Sequence, residues 1–350
     1  MGINSREEAE ISSLLSQCPD STFFMEPSFT KLMADVFRFN FDYLISKDQG
    51  GRIRGIMPCF FLKSVLFGKR IVSLPFNFFG GCVTSSQEGL EGVLEQVRAL
   101  SSSFLYCEIK NTNPLPDDIV KRYRLQLRRQ FLTYELPLDD EKDIKRRRKK
   151  RFREKLSALE RKLSNQLSVK RARSESELIG FYRLMTCEYL KKHHTIPLPF
   201  QLFSKFWETF ISKRLADLFL LYIDGHLASG IIVLNYRKRM IYQWGAFNLN
   251  MSWASPLAIL LDRVLHIALA EGMELFDFGL TEKNHDGLRF FKSRWGTEER
   301  WLHYYYFLSR AQKIPETGYH SSFLAARRIL GIIPVWMGSR LPACLIRQLA

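Results

Sequence analysis

Six cysteines in 350 residues, Cys18, Cys59, Cys82, Cys107, Cys187 and Cys344, stand apart with no C-x-x-C pair among them. That spacing excludes the usual zinc-ligand pattern and a small disulfide framework; it reads as reduced, mostly buried thiols in a cytosolic protein. Cys82 lies beside two glycines and is a candidate nucleophile, but no histidine is near it in sequence, so packing is the favoured role. Long apolar runs are also missing. No stretch approaches the ~20 uncharged residues of a membrane helix, and the best candidate, FLAARRILGIIPVWMGSRLPACLIRQL, is interrupted by Arg327, Arg328 and Arg340. The opening MGINSREEAEISS is acidic and polar, unlike a signal peptide. Its Met-Gly dipeptide does not by itself indicate myristoylation.

What remains is an ordinary globular composition, 46% hydrophobic and 25% charged, long enough for two domains. The net charge of +16 is concentrated. Lys142 to Arg173 holds 15 Lys and Arg against Asp143, Glu154 and Glu160, which is +12 of the +16. Such a segment is an electrostatic handle for polyanions without specifying which one. Ile144, Arg148, Phe152, Leu156, Leu159, Leu163 and Leu167 recur in it at steps of three or four, the period of a long amphipathic helix. Its cationic face is either a solvated surface, the blander reading, or a phosphate-binding one.

Around that segment each half follows one pattern: helix, hairpin, a strand ending in glycine, helix, strand. In the first half these are the helix at Ser28–Met33, FDYLIS and GIMPCFFLKSVL around Asp48-Gln49-Gly50-Gly51, IVSLPFNFFGGCV, Gln87–Leu100 and FLYCEIK. QFLTYELPL is a further strand. The second half has a capping box at Ser174–Glu177, a hairpin turning at Asp224-Gly225, MIYQWGAF, a helix from Ser255-Pro256 to Gly272, MELFDFG and WLHYYYFL. Two copies of one α/β (α+β) unit joined by a basic helix is the simplest organisation.

HTIPLPFQLFSKFWETF, YIDGHLASGIIVLNY, YQWGAF and FDFGLTEKNHDGLRFFKSRWGTEERWLHYYYF, in this order, resemble the FemAB-type acyltransferases. LPFNFFGGC resembles the LPF-x-x-x-Gly-Gly segment of that family's first domain. The resemblance runs from Phe23 to Leu308 and is strongest from His193 onward. It implies two tandem GNAT-like acyltransferase domains, here 23–140 and 174–310, with an N-terminal segment 1–22, the basic amphipathic helix 141–173 and a basic C-terminal tail 311–350. It also implies transfer of an acyl or aminoacyl group to an amine, often on a cell-envelope precursor, from acyl-CoA or aminoacyl-tRNA. The helical hairpin that the tRNA-dependent members often insert in the second domain is missing. The chain is more similar to the branch associated with exopolysaccharide and PEP-CTERM systems. A kinase reading of Asp277-Phe278-Gly279 fails, because neither a G-x-G-x-x-G loop nor H-R-D accompanies it.

By that resemblance Lys292 of FFKSRWG sits near the reacting carbonyl or a substrate phosphate. Among Phe290, Phe291 and Trp295 a cation would stabilise developing negative charge better than in water. Arg294 is a second cation with a phosphate-binding option. Asp277 either orients the amine and takes its proton or caps the loop that follows. Tyr242, Trp244, Gly245 and Gly279 belong to the two strands that would splay apart to hold the donor, although each glycine also fits a plain turn. Asn77, Gly80 and Gly81 would line the acceptor side, or form a buried strand and turn. Glu282, His285 and Asp286 occupy the loop, and His266 with Asp262 reads as a structural helix pair.

The sequence therefore points to an N-acyltransferase of the GNAT/FemAB type, cytoplasmic and peripheral on the inner membrane face, acting on an amine-bearing envelope or exopolysaccharide precursor. Acyl-CoA is the expected co-substrate, with no metal and no DNA partner. The basic helix and the tail (Arg327, Arg328, Arg340, Arg347) would contact an anionic membrane. An aminoacyl-tRNA-dependent ligase that holds tRNA, and a non-catalytic binding module on a GNAT-like scaffold, are the alternatives.

Overall fold

The structure, a computed structural model, describes residues 3–64, 68–76, 78–311, 313–314 and 346. Asn77 and nearly all of the expected basic tail lie outside them. The chain divides into two units, one of residues up to Phe131 plus the strand beginning near Trp301, the other of Leu132–Arg300.

In the first unit, α1 (Ser5–Gln17) starts at a reciprocal cap. Asn4 accepts from the Glu7 N–H, and the Glu7 carboxylate accepts from the Asn4 N–H. Pro27 opens α2 (Pro27–Phe37), where a missing N–H costs nothing. The hairpin of β1 (Asn40–Lys47) and β2 (Ile53–Ser64) turns on Asp48, whose carboxylate accepts from the N–H groups of Gly50 and Arg52. Next come β3 (Gly68–Val72), β4 (Val83–Thr84), α3 (Gln87–Ser101), β5 (Tyr106–Asn111), α4 (Asp117–Arg122) and β6 (Gln126–Arg128). One stripe of α3, Leu90, Val93, Leu94 and Val97, is buried in one core with Ile71, Cys107 and Ile109.

The second unit begins with β7 (Phe131–Pro137), α5 (Glu141–Arg147), α6 (Lys150–Lys162), β8 (Leu167–Arg171), α7 (Glu175–Glu188) and α8 (Phe200–Phe206). It continues with β9 (Ala216–Ile223), β10 (His226–Tyr236), β11 (Arg239–Phe247), α9 (Pro256–Ala270), β12 (Leu275–Asp277), β13 (Thr281–Glu282), α10 (Asp286–Ser293) and β14 (Glu298–Trp301). The chain then returns to the first unit as β15 (His303–Leu308).

Each sheet is a meander joined through one parallel pair. The first has the order β1-β2-β3-β5-β15-β6 with β4 beside β2, and β3 and β5 run parallel. The second has the order β13-β7-β12-β11-β10-β9-β8 with β14 beside β7, and β11 and β12 run parallel. In both, a helix (α3 or α9) makes the crossover that parallel strands require.

Two expectations change here. WLHYYYFL, expected to close the second domain, pairs with β5 and β6 in the first sheet, and QFLTYELPL, assigned to the first domain, pairs with β12 in the second. The basic segment is part of the second unit rather than a joining helix. It is two helices and a strand, broken at Arg148 and Lys149, both extended. The break is held from several directions. The Arg148 side chain is buried, ion-paired with Asp262 of α9 and stacked over Trp295, while the Lys149 N–H donates to the Arg294 carbonyl at 3.1 Å. Ile144, Phe152, Leu156 and Leu163 join the core of the unit, so the stripe was read correctly although the helix is not continuous.

Removing one partner of a buried ion pair leaves the other charge desolvated, at about 3–5 kcal/mol. Arg148→Met is expected to lower unfolding stability in urea by about that amount, and Asp262→Asn by less because an amide still hydrogen-bonds. Equal, near-zero costs would show that the break does not depend on this pair.

Candidate active site

The central feature of the second sheet is a fork. β11 and β12 pair only at Arg239–Leu275, Met240–Phe276 and Ile241–Asp277. Beyond Asp277 the chain follows β7: the Phe278 N–H donates to the Tyr134 carbonyl at 2.8 Å, and β13 pairs with β7. Residues Tyr242–Phe247 of β11 therefore keep β10 on one side and have no strand on the other among the described residues. The β10 register slips between Ile232 and Val233, opposite Trp244 and Tyr242, so Gln243 is the extra residue of a bulge. Bulges of this kind re-aim backbone groups next to functional sites.

Gly279 makes the divergence possible. Its φ of 75° is left-handed, and a Cβ there would stand 2.5 Å from the Tyr242 carbonyl oxygen. Only glycine fits both conditions. Gly245 supports the fork from below: a Cβ would meet the Tyr242 ring.

Lys292, on α10, is 2% exposed. Its ammonium donates to the carbonyls of Gly279 at 2.7 Å and Leu280 at 3.2 Å, and lies 5.6 Å from the centre of the Tyr134 ring. Burial brings its pKa down to about 7 against the opposing pull of the Asp277 charge. Asp277 is 1% exposed, and burial raises its carboxyl above the ordinary range. One carboxylate oxygen accepts both the Thr133 hydroxyl and the Gly279 N–H, at 2.8 Å for the latter. Of the two sequence roles, this geometry is that of a group capping the loop; Asp277 positions Gly279.

The other candidates separate. Trp244 is core, packed edge-on to Phe203 and Phe206, so its indole is unavailable to a ligand. The Arg294 guanidinium lies over Phe152, Phe290 and Phe291 at 4.6, 5.2 and 5.3 Å. His285 caps α10, its Nδ1 accepting from the Leu288 N–H. In the first unit, the fork between β3 and β5 is filled by the chain that follows β3. The Lys110 N–H donates to the Ser73 hydroxyl, the Gly80 N–H to the Lys110 carbonyl and the Cys82 N–H to Asn111 Oδ1. A Cβ on Gly81 would fall 1.9 Å from that same Asn111 oxygen. Gly80 and Gly81 thus serve close packing against β5. Burial pushes the Cys82 thiol up to about 12, so it supplies no thiolate at neutral pH.

Three residues at the fork carried no usable sequence signal. Thr133 and Tyr134 reach it from β7, more than 140 positions from Asp277. Glu188 is 5% exposed and ends α7 where the helix widens into a π turn, Tyr189–His193. Because the Asn248 N–H faces β10, the Phe247 N–H faces the open side, and Glu188 accepts it at 3.1 Å. Burial works against ionisation of Glu188, but His193, Lys192 and the Phe247 N–H together hold its carboxyl below the usual range. Among the described residues no group of three or more His, Cys, Asp or Glu side chains is placed to hold a metal ion.

Residues 146–292 match the acetyltransferase (GNAT) domain family. The fold is similar over nearly the whole chain to the crystal structure of FemX, at 14% identity, 89% of this chain, 97% of that one and a TM-score of 0.71. It is also similar to a tandem GNAT protein from the clavulanic acid biosynthesis pathway (11% identity, 87% and 96% covered, TM-score 0.50). The chain has a tandem GNAT fold. A further similar fold is the C-terminal domain of a lysylphosphatidylglycerol synthetase from Agrobacterium fabrum (12% identity, 88% and 93% covered, TM-score 0.55). No curated protein matches the sequence. The acetyltransferase (GNAT) family match marks the chain as an acyltransferase and spans β11, β12 and α10, the elements of the open fork.

If Lys292 and Asp277 stabilise each other in this fork, Lys292→Met and Asp277→Asn each cost about 3 kcal/mol in urea unfolding. The double variant then falls short of their sum by about 1–2 kcal/mol. Strict additivity would separate the two residues.

Proposed function

We propose that this protein transfers an acyl group from a thioester donor, acyl-CoA, to an amine on a cell-envelope or exopolysaccharide precursor, with the chemistry at the β11–β12 fork. The observation that carries this reading is the open edge of β11 beside a buried lysine. Backbone N–H groups on that edge suit the donor's carbonyl and pantetheine-like amides. The acceptor nitrogen, unprotonated, adds to the carbonyl carbon; the carbonyl oxygen becomes an oxyanion, and its collapse expels the thiolate, which takes up the proton the nitrogen releases. A charged lysine has three donors. The carbonyls of Gly279 and Leu280 take two of them, leaving one for the oxyanion.

A second reading has a specific basis. FemX and the lysylphosphatidylglycerol synthetase domain are both similar folds, and the name of the latter specifies an aminoacyl group on a lipid. With aminoacyl-tRNA as donor the same fork holds the ester carbonyl, and a ribose hydroxyl leaves.

Calorimetric titration with acetyl-CoA and a longer acyl-CoA tests the choice. Saturable binding of one of them supports the thioester reading; none with either, but binding of charged tRNA, supports the second. Because Lys292 acts charged and loses its proton near pH 7, kcat is expected to fall on an alkaline limb beginning near there. Lys292→Arg, which stays charged, should move that limb upward by more than one pH unit even if kcat drops. An unmoved limb would assign it to another group.

A further inference from the structure

We propose that α6 and the adjoining end of α10 form a docking face for an anionic membrane surface. α6 spends its apolar stripe, Phe152, Leu156, Leu159 and Leu163, on the core of its own unit. At 100° per residue the exposed Lys150, Arg151, Lys155, Arg161 and Lys162 fall within an arc of about 140° on the other side, shared only with Glu154 and Ala158. None of the five enters an ion pair among the described residues. Beside them stands Phe290, 60% exposed, with Lys149 and Arg294 over its ring at 5.6 and 5.2 Å. The Lys149 N–H bond to the Arg294 carbonyl fixes α10 to the start of α6, so the aromatic and the cations share one surface.

Charge alone would suit RNA as well as lipid. Phe290 favours lipid. A nucleobase needs a bare aromatic face to stack on, and two cations already lie over this ring. A phenyl between cations suits a headgroup layer, where the ring enters the interface and the cations meet lipid phosphates. The stripe of α6 is unavailable for insertion, so the helix lies on the surface by charge and Phe290 is its apolar contact. This face does not rest on the acyl-transfer reading. It does put Phe290 two residues from Lys292 on one short helix, the ring outward and the ammonium inward.

The test is co-sedimentation of the full chain with phosphatidylcholine vesicles, with and without phosphatidylglycerol. Binding is expected only with phosphatidylglycerol, and it should weaken as salt is raised. The triple variant K150E/R151E/K155E should lose about a hundredfold in partitioning, and Phe290→Ser about tenfold. Reversal of three exposed lysines elsewhere, K63E/K205E/K213E, should change it far less, with folding of each variant confirmed by circular dichroism. Equal losses in the two triple variants would reduce the effect to net charge and overturn the proposal. So would vesicle binding that ignores K150E/R151E/K155E, or binding of bulk tRNA that is tighter than vesicle binding and lost in that same variant.

Discussion

A lysine ammonium taken out of water must find oxygen, and the open half of the second sheet is organised around that demand. Bringing the pKa of Lys292 from 10.5 to about 7 corresponds to on the order of 5 kcal/mol against the charged form. The carbonyls of Gly279 and Leu280 supply part of the compensation, and they are free to do so because the chain has left β11 there. The departure needs a left-handed residue without a side chain, which is Gly279. Asp277 then holds the N–H of the same glycine. The lysine, the glycine and the aspartate are one device. The sign of the linkage follows: the unfolded lysine keeps its proton up to pH ~10.4, so its contribution to stability rises with pH from about 7 to there.

The two units use one topology to opposite ends. In each, a meander meets a parallel strand through a helix, and in each the parallel pairing is short. In the first unit the chain after β3 folds back along β5 and satisfies it with Ser73, Gly80 and the Asn111 carboxamide. In the second unit the chain after β12 turns toward β7 and leaves β11 uncovered. A backbone edge that is already hydrogen-bonded has nothing to offer a ligand, whereas one facing space does. Of the two parallel pairs, only the one in the second unit leaves an open backbone edge among the described residues.

Local chemistry was legible in the sequence where it was decided by neighbours. The Asp48 turn, the cap at Ser174, the first-turn proline Pro256, the α3 helix and the hairpin at Asp224-Gly225 depend on residues a few positions apart, and each was read from them, whereas Ser255 makes no side-chain cap bond. Sheet membership was not, because β7 and β15 have the same alternation whichever sheet they join, and their partners lie far away in sequence. The break at Arg148 was hidden for a related reason. Arg148 fits the three-and-four spacing of the stripe, and only its ion pair with Asp262 and its contact with Trp295 show that the backbone turns there. Lys292 was singled out through its motif, whereas Thr133 and Glu188 have no motif and reach the fork only by where the fold carries them.

The remaining charge of the segment also has a physical reading. Ion pairs with Glu141, Asp143 and Asp139 engage Lys145, Arg146 and Arg147 of α5, so the first part of the run is largely answered within the chain. α6 is not. Like charges gathered on one face of a helix repel and cost stability, and core packing does not require them there, since any polar residue would serve opposite the stripe. The same surface exposes a phenylalanine that could have been polar at no cost to the core. A charge cluster the fold does not use, next to an apolar group the fold does not bury, is what an outside anionic surface would account for.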